Sequence, residues 1–286
     1  MNLTNYTKAF EVNGTVFDFH KETIVMGILN VTPDSFSDGG RYDAVETALI
    51  HAKKMVADGA KIIDVGGEST RPGHAAVGLE EELSRVIPVI QALSRELEVA
   101  ISIDTYKAEV AEAAILAGAH IINDVWGAKR EPAIAEVAAR LGVPILLMHN
   151  RDNTDYTDYT DFWTDVHKDL EESVQIAKNA GVPDHHIWLD PGIGFAKTTE
   201  QNILMMQHLQ DVVEMGYPVL LGTSRKSTIG KVLNLPVEER LEGTAATVSF
   251  GIMHGCHMMR VHDVKEIVRT VRMMDVLTGK QLYIES

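Results

Sequence analysis

Polar residues close the short apolar runs of this sequence, and their types share one chemistry. Asn30, Asp104, Asn123 and Asp190 each end or follow such a run. His149 and Asn150 follow another, Arg225 and Lys226 another, and Arg260 ends the last, with His262 two positions on. Any one of these taken alone is a polar residue capping a loop. Burying Asp104, Asp190, Lys226 and Arg260 at one mouth is different, because it is costly unless they serve a ligand. Two carboxylates, an amide and a lysine offer acceptors for N–H groups and a donor for a carbonyl. That set suits a flat heterocycle with an amino-pyrimidinone edge, and an arginine stacks on such a ring.

Three loops add to this. Asn30-Val-Thr-Pro-Asp-Ser-Phe-Ser-Asp-Gly-Gly40 carries turn residues and an acid at each end of Asp34–Asp38. Its aromatic, Phe36, would be exposed at the tip of a plain surface loop, so a lid closing over substrate is expected. Gly66-Gly-Glu-Ser-Thr-Arg-Pro-Gly73 gathers Ser69, Thr70 and Arg71 between glycines, a composition able to bind an anion. Gly222-Thr-Ser-Arg-Lys-Ser227 places two cations and three hydroxyls within six residues. Zinc-ligand spacing, a phosphate-binding lysine loop and a Gly-x-Ser-x-Gly elbow are all missing from the sequence. His51, His120, His167, His185, His186 and His208 fall in helices or turns away from the run ends and read as surface or packing residues.

Something must bring the run ends together. Candidate strands cover 24–31, 62–66, 99–104, 121–123, 144–148, 187–190, 218–222 and 257–260. Each is apolar instead of alternating, as expected of parallel strands covered on both sides. Helical patterns follow at 44–58, 80–97, 109–117, 133–141, 165–180, 203–215, 238–254 and 264–277. Eight strand–helix units in about 250 residues predict a (β/α)8 barrel, with active-site residues at the carboxyl ends of the strands. A doubly wound open sheet is the alternative. Gly59-Ala-Lys-Ile-Ile and Gly118-Ala-His-Ile-Ile repeat one helix-to-strand frame, each glycine reading as a helix C-cap. Ahead of the barrel, two alternating runs flank Asn13-Gly14 and predict an N-terminal β-hairpin within residues 1–22. Nothing divides the chain, so 1–286 is expected to be one domain.

Composition narrows the partners. The chain has 286 residues, 26 Lys+Arg against 41 Asp+Glu, and a formal charge of −15. Such acidity argues against nucleic acid or an anionic membrane, which need a basic face. An anionic small substrate must then be held by a local basic cluster. The apolar share of 45% with 23% charged residues is that of a packed globular protein. No apolar run approaches the roughly 18 residues of a membrane span, no leader pattern opens the sequence, and the single Cys256 suits a reducing cytoplasm.

Four motifs carry a closer likeness: Leu29-Asn-Val-Thr-Pro-Asp-Ser-Phe-Ser-Asp38, Gly67-Glu-Ser-Thr-Arg-Pro-Gly73, Leu189-Asp-Pro-Gly-Ile-Gly-Phe195 and Ser224-Arg-Lys-Ser227. With them the sequence after residue 22 resembles the dihydropteroate synthases, pterin-binding TIM-barrel enzymes of folate synthesis. The resemblance implies condensation of 6-hydroxymethyl-7,8-dihydropterin pyrophosphate with 4-aminobenzoate, giving 7,8-dihydropteroate and pyrophosphate with help from Mg²⁺. It implies that Asp104, Asn123, Asp190 and Lys226 hold the pterin edge and Arg260 its face. Asn30, Ser69, Arg71, Arg260 and His262 would take the pyrophosphate, with Asn30 beside the metal. Phe36, Thr70, Arg71, Pro72, Phe195 and Ser227 would shape the aminobenzoate pocket. Asp38, Arg71, Lys226 and Arg260 would be the catalytic set, and the family implies sulfonamide binding and a homodimer. Two rivals are a pterin-dependent methyltransferase, which shares the barrel and the pterin-edge carboxylates but would not need the Phe36 loop, the Ser69–Pro72 loop and Ser227 together, and a non-catalytic pterin-binding paralogue.

Overall fold

The computed structural model describes residues 9–31, 41–68, 77–152 and 159–282. The hairpin is present. Strands β1 (Phe10–Val12) and β2 (Thr15–Phe17) pair antiparallel, and Asn13 and Gly14 both take positive φ, 47° and 73°, as a two-residue primed turn requires.

The eight parallel strands are β3 (Ile24–Asn30), β4 (Ile62–Gly66), β5 (Ala100–Asp104), β6 (Ile121–Asp124), β7 (Ile145–Met148), β8 (Ile187–Asp190), β9 (Leu220–Leu221) and β10 (Met258–Val261). They neighbour one another in the order β8-β7-β6-β5-β4-β3-β10-β9. Closure comes from a parallel bridge between Leu189 and Val219, with Leu189 N–H donating to Pro218 O at 2.9 Å. The expected strand 218–222 thus contracts to two residues, because Pro218 brings an acceptor but no donor to the seam.

Helices α1 (Arg41–Ala57), α2 (Leu79–Glu96), α3 (Ala108–Leu116), α4 (Ala133–Leu141) and α5 (Phe162–Asn179) cover the outside of the first half. The expected helix 203–215 is instead two, α6 (Thr199–Gln207) and α7 (Leu209–Glu214), broken at His208. It also starts earlier than expected, because Thr198 and Gln201 form a reciprocal capping box. A short α8 (Ser227–Leu233) follows β9, and α9 (Leu241–Met253) and α10 (Val264–Leu277) complete the ring. Gly59 and Gly118 carry φ of +107° and +115° at the ends of α1 and α3, the turn that their shared sequence frame predicted.

Strand alternation sorts the core into two layers. Ile24, Met26, Ile62, Ala100, Ile121, Leu146, Trp188, Leu220 and Met258 point inward and pack together. Their sequence neighbours Val25, Ile63, Ile101, Ile122, Ile145, Leu147, Ile187, Leu189, Leu221 and Met259 pack under the helices. Phe17 and Phe19 belong to the inner cluster, with ring centroids 6.2 and 6.0 Å from Trp188. The hairpin segment therefore plugs the amino-terminal end of the barrel and leaves the carboxyl end open. At that closed end Asp275 of α10 accepts from Thr23 N–H at 2.9 Å and Thr23 Oγ1 at 2.6 Å.

Candidate active site at the barrel mouth

Counting in twos from the inner apolar layer reaches Asn30, Asp64, Gly66, Ser102, Asp104, Asn123, Asp190, Gly222, Arg260 and His262. The parity that puts Ile62 and Met258 inside thus puts the polar residues at the mouth. Arg260 is their hub. Its Nε lies 2.6 Å from Asp64 Oδ2, and its second guanidinium nitrogen 2.6 Å from Asp104 Oδ2. Asn123 Nδ2 donates to the same Asp64 oxygen at 3.1 Å. Burial disfavours the Arg260 charge, but Asp64 and Asp104 outweigh it and hold the guanidinium above its ordinary pKa.

The carboxylates behave differently. Burial raises Asp104 to about 7 against the pull of Arg260, with Asp64 adding to the rise. Burial raises Asp190 to about 6, opposed by the Gly192 N–H bond at 2.7 Å, then by Lys226 and Arg260. Asp104 Oδ1 is buried with no hydrogen-bond partner, as are Asp64 Oδ1 and Ser102 Oγ. Unsatisfied buried acceptors are expensive, and at a mouth they mark where a ligand's donors belong. Space for it exists because two inward positions lack side chains. A Cβ at Gly66 would stand 3.6 Å from Asn30 Oδ1 and Asp104 Oδ2, and one at Gly222 would stand 3.8 Å from Asp190 Oδ2 and 4.0 Å from Arg260 Cβ.

Lys226 and Phe195 meet at the side of the mouth, the ammonium 4.1 Å from the ring centroid. Ser227 is exposed at the first turn of α8. His262 donates its backbone N–H to Ser224 Oγ at 3.1 Å, and its Nδ1 lies 3.0 Å from the same hydroxyl. Asn30 is exposed at the end of β3. Arg225 turns away from the opening to a two-point contact with Asp263, at 2.9 and 2.5 Å. Phe36, Asp38, Ser69, Thr70, Arg71 and Pro72 lie outside the described residues. The foot of their second loop is anchored, since Arg85 donates to Gly67 O at 2.7 Å and Lys107 pairs with Glu68 at 2.7 Å and with Glu82.

The turn after β8 is clasped from below. Lys197, 5% exposed, donates to Gly192 O and Phe195 O at 3.1 Å each, and its Nζ lies 2.7 Å from His149 Nδ1. His149 Nε2 in turn contacts Asp169 Oδ2 at 3.0 Å, which Arg151 Nε also reaches at 2.6 Å. Burial and the neighbouring Lys197 push His149 down to about 3, so the ring is neutral and its Nε2 carries the proton. Burial pulls Lys197 down to about 7, opposed by Asp190 and Asp169.

Comparison with known proteins places this mouth in a family. The family described as pterin binding enzyme matches residues 26–262. Dihydropteroate synthase of Bacillus subtilis is 57% identical over 274 residues, covering 96% of this chain and 95% of that protein. The chain belongs to the dihydropteroate synthase family. Among solved structures, the Clostridium difficile dihydropteroate synthase crystallised in the presence of pteroic acid superposes with a TM-score of 0.88 at 50% identity, covering 91% of this chain and 98% of that one. The Xanthomonas albilineans enzyme with 4-aminobenzoic acid gives a TM-score of 0.88 at 40% identity, covering 95% and 98%. Family members are transferases of folate biosynthesis, and the (β/α)8 barrel with its added hairpin is their fold.

The expected rim residues Asp104, Asn123, Asp190 and Arg260 converge as the sequence implied. Asp64 is an addition to the expected set, because it lies inside the run 62–66 and not at its end. A charged residue midway along a buried strand was the available signal. Lys197 is another addition: nothing local marks a lysine two residues past Phe195 as a tether, and its partner His149 is 48 residues away.

Proposed function

We propose that the barrel mouth performs the dihydropteroate synthase condensation, with the pterin edge on Asp104, Asn123, Asp190 and Lys226 and its face under Arg260. The observation that carries this reading is the buried, unpartnered Asp104 Oδ1 in the cluster that Arg260 joins to Asp64 and Asn123, an acceptor set for a donor-bearing ring edge. Asn30, Arg260 and His262, with Ser69 and Arg71, are assigned to the pyrophosphate. Phe195 and Ser227, with Phe36, Thr70, Arg71 and Pro72, are assigned to the aminobenzoate, and Asp38 to ordering the first loop.

The chemistry asks little proton transfer of the protein. An arylamine is already unprotonated near neutral pH, so attack needs no prior general base. The bond between the exocyclic methylene and the pyrophosphate oxygen breaks first, its electron pair leaving with the diphosphate. Positive charge left on the methylene spreads into the pterin ring, where the Asp104 and Asp190 carboxylates stabilise it. The amine nitrogen then bonds the methylene and releases its proton to water. Arg260, Arg71 and His262 neutralise the departing charge, and one such preorganised donor is worth roughly 3 kcal/mol.

Mg²⁺ is part of the same reading. Among the described residues no three His, Cys, Asp or Glu side chains gather to hold a metal. A hydrated Mg²⁺ needs only one or two hard oxygen donors when substrate phosphates supply the rest. The Asn30 carbonyl oxygen, with the side-chain-free Gly66 beside it, fits that demand. When bound there it would supply Lewis-acid neutralisation of the leaving diphosphate.

The same proposal takes the chain as one domain, because Phe17 and Phe19 of the hairpin segment are part of the barrel core. It takes the protein as a homodimer, through the exposed Phe250 and Met253 of α9 and Met273 and Leu277 of α10. Light scattering on the purified chain tests that point. No helix among the described residues is long and apolar enough to cross a membrane, and the single buried thiol of Cys256 supports a cytoplasmic location. The deciding experiment mixes the chain with both substrates, with and without Mg²⁺, and follows pyrophosphate. Release only with all components present is expected; none would leave the pterin-binding paralogue, and methyl transfer to a corrinoid protein the other rival.

A further inference from the structure

We propose that Lys197 is a positioning residue for the second substrate: its ammonium, oriented by His149 and Asp169, sets where the ring of Phe195 stands in the aminobenzoate wall. The inference rests on the assignment of Phe195 to that wall. An ammonium has three donors, and Lys197 meets three acceptors, Gly192 O, Phe195 O and His149 Nδ1, at 3.1, 3.1 and 2.7 Å. Two of them lie in the turn that carries Phe195, so the tether acts on that turn directly.

The turn needs such a tether because its backbone is unusual. Gly192, Ala196 and Gly194 have φ of +68°, +44° and +85°, and for alanine that region is strained. A Cβ at Gly192 would fall 2.0 Å from His149 O, so the turn lies hard against the segment after β7. Tyr159 Oη donates to Ala196 O at 3.0 Å, and Asn202 bridges Gly194 N–H at 2.6 Å and Thr198 O at 2.7 Å. These bonds fasten the flanks, but the Phe195 carbonyl itself is held by Lys197. The far end of the relay is stiff, since Asp169 is shared by His149, Arg151 and, at 3.8 Å, Lys129. Pterin ligands Asp104, Asn123 and Arg260 stand on β5, β6 and β10, apart from this turn, and the two that touch it, Asp190 and Lys226, do so through Gly192 N–H at 2.7 Å and the Phe195 ring at 4.1 Å, not through the carbonyls that Lys197 holds.

That separation gives the test, steady-state kinetics on three variants of the full chain. Phe195→Ala probes the wall itself. Lys197→Met keeps the stem and removes all three donors, and Asp169→Asn loosens the relay from outside should Lys197→Met fail to fold. The expected result is a rise in KM for aminobenzoate of at least about tenfold for Lys197→Met and about threefold for Asp169→Asn, with KM for the dihydropterin pyrophosphate changed less than about threefold. If Phe195→Ala raises the aminobenzoate KM while neither relay variant does, the positioning role is overturned and the wall assignment stands. If Phe195→Ala leaves that KM alone, the wall assignment fails and the inference with it. Equal rises in both KM values would reduce Lys197 to general packing and also overturn the proposal.

Discussion

Asp64 Oδ2 accepts from Arg260 Nε at 2.6 Å and from Asn123 Nδ2 at 3.1 Å, so one oxygen of a fully buried residue joins the cation proposed for the pterin face to the amide proposed for its edge. Asp64→Leu removes that junction, leaves Arg260 with Asp104 alone and lets the Asn123 amide turn. A loss in kcat/KM for the pterin substrate of about a hundredfold is expected, together with a stability loss of about 3 kcal/mol from the broken buried pair. Asp64→Asn keeps an acceptor in place and should lose about tenfold. Kinetics with urea unfolding check both, and an unaltered Asp64→Leu enzyme would contradict the assignment of Arg260.

Acid sensitivity follows from the mouth carboxylates. Asp104 and Asp190 are raised to about 7 and about 6, chiefly by burial. In the proposed role each accepts a pair of ligand N–H groups as the anion, and protonation turns one of its oxygens into a donor, so a raised pKa means that binding is lost as pH falls through those values. In the free enzyme kcat/KM for the pterin should fall from pH 7 to pH 5 with a slope steeper than one proton. Asp190→Asn should lower turnover by at least about tenfold and reduce that slope to a single proton. A profile identical to the parent would exclude Asp190 from the pterin edge.

Gly222 keeps the opening clear. Its backbone has ordinary φ, and an added Cβ would make only normal contacts at 3.8 Å to Asp190 Oδ2 and 4.0 Å to Arg260 Cβ. Gly222→Val should therefore fold, as seen by circular dichroism, while pterin affinity measured by calorimetry drops more than about tenfold. Retained affinity would place the ring elsewhere.

The plug at the closed end is structural. Phe17, 1% exposed and packed on Trp188, loses its contacts in Phe17→Ala, at a cost of about 3–5 kcal/mol. Because the plug lies at the opposite end of the barrel from Arg260, kcat at low temperature should match the parent. Denaturant unfolding with parallel assays separates the two effects.

Much of this was legible in residue order. Apolar runs of three to eight residues alternate with helical segments, and glycines such as Gly59 and Gly118 mark where helices must turn into strands. Asp104, Asn123 and Asp190 stood out because each ends a buried run. Asp64 did not, since it sits inside one, and Lys197 did not, since its meaning lies in partners from other loops. Helix 203–215 was misread because nothing apolar separates α6 from α7; the break is a local backbone change at His208.

Local chemistry in the chain thus settled most of the elements, the two-residue parity within the strands and the polar residues at several strand ends. Tertiary structure alone decided which of these residues touch. Arg260 and Asp64 are separated by 196 positions, and they meet because β10 pairs beside β3 and β3 beside β4. Barrel closure and strand register are collective outcomes of many non-local contacts, so no window of sequence contains the hub that Arg260 forms.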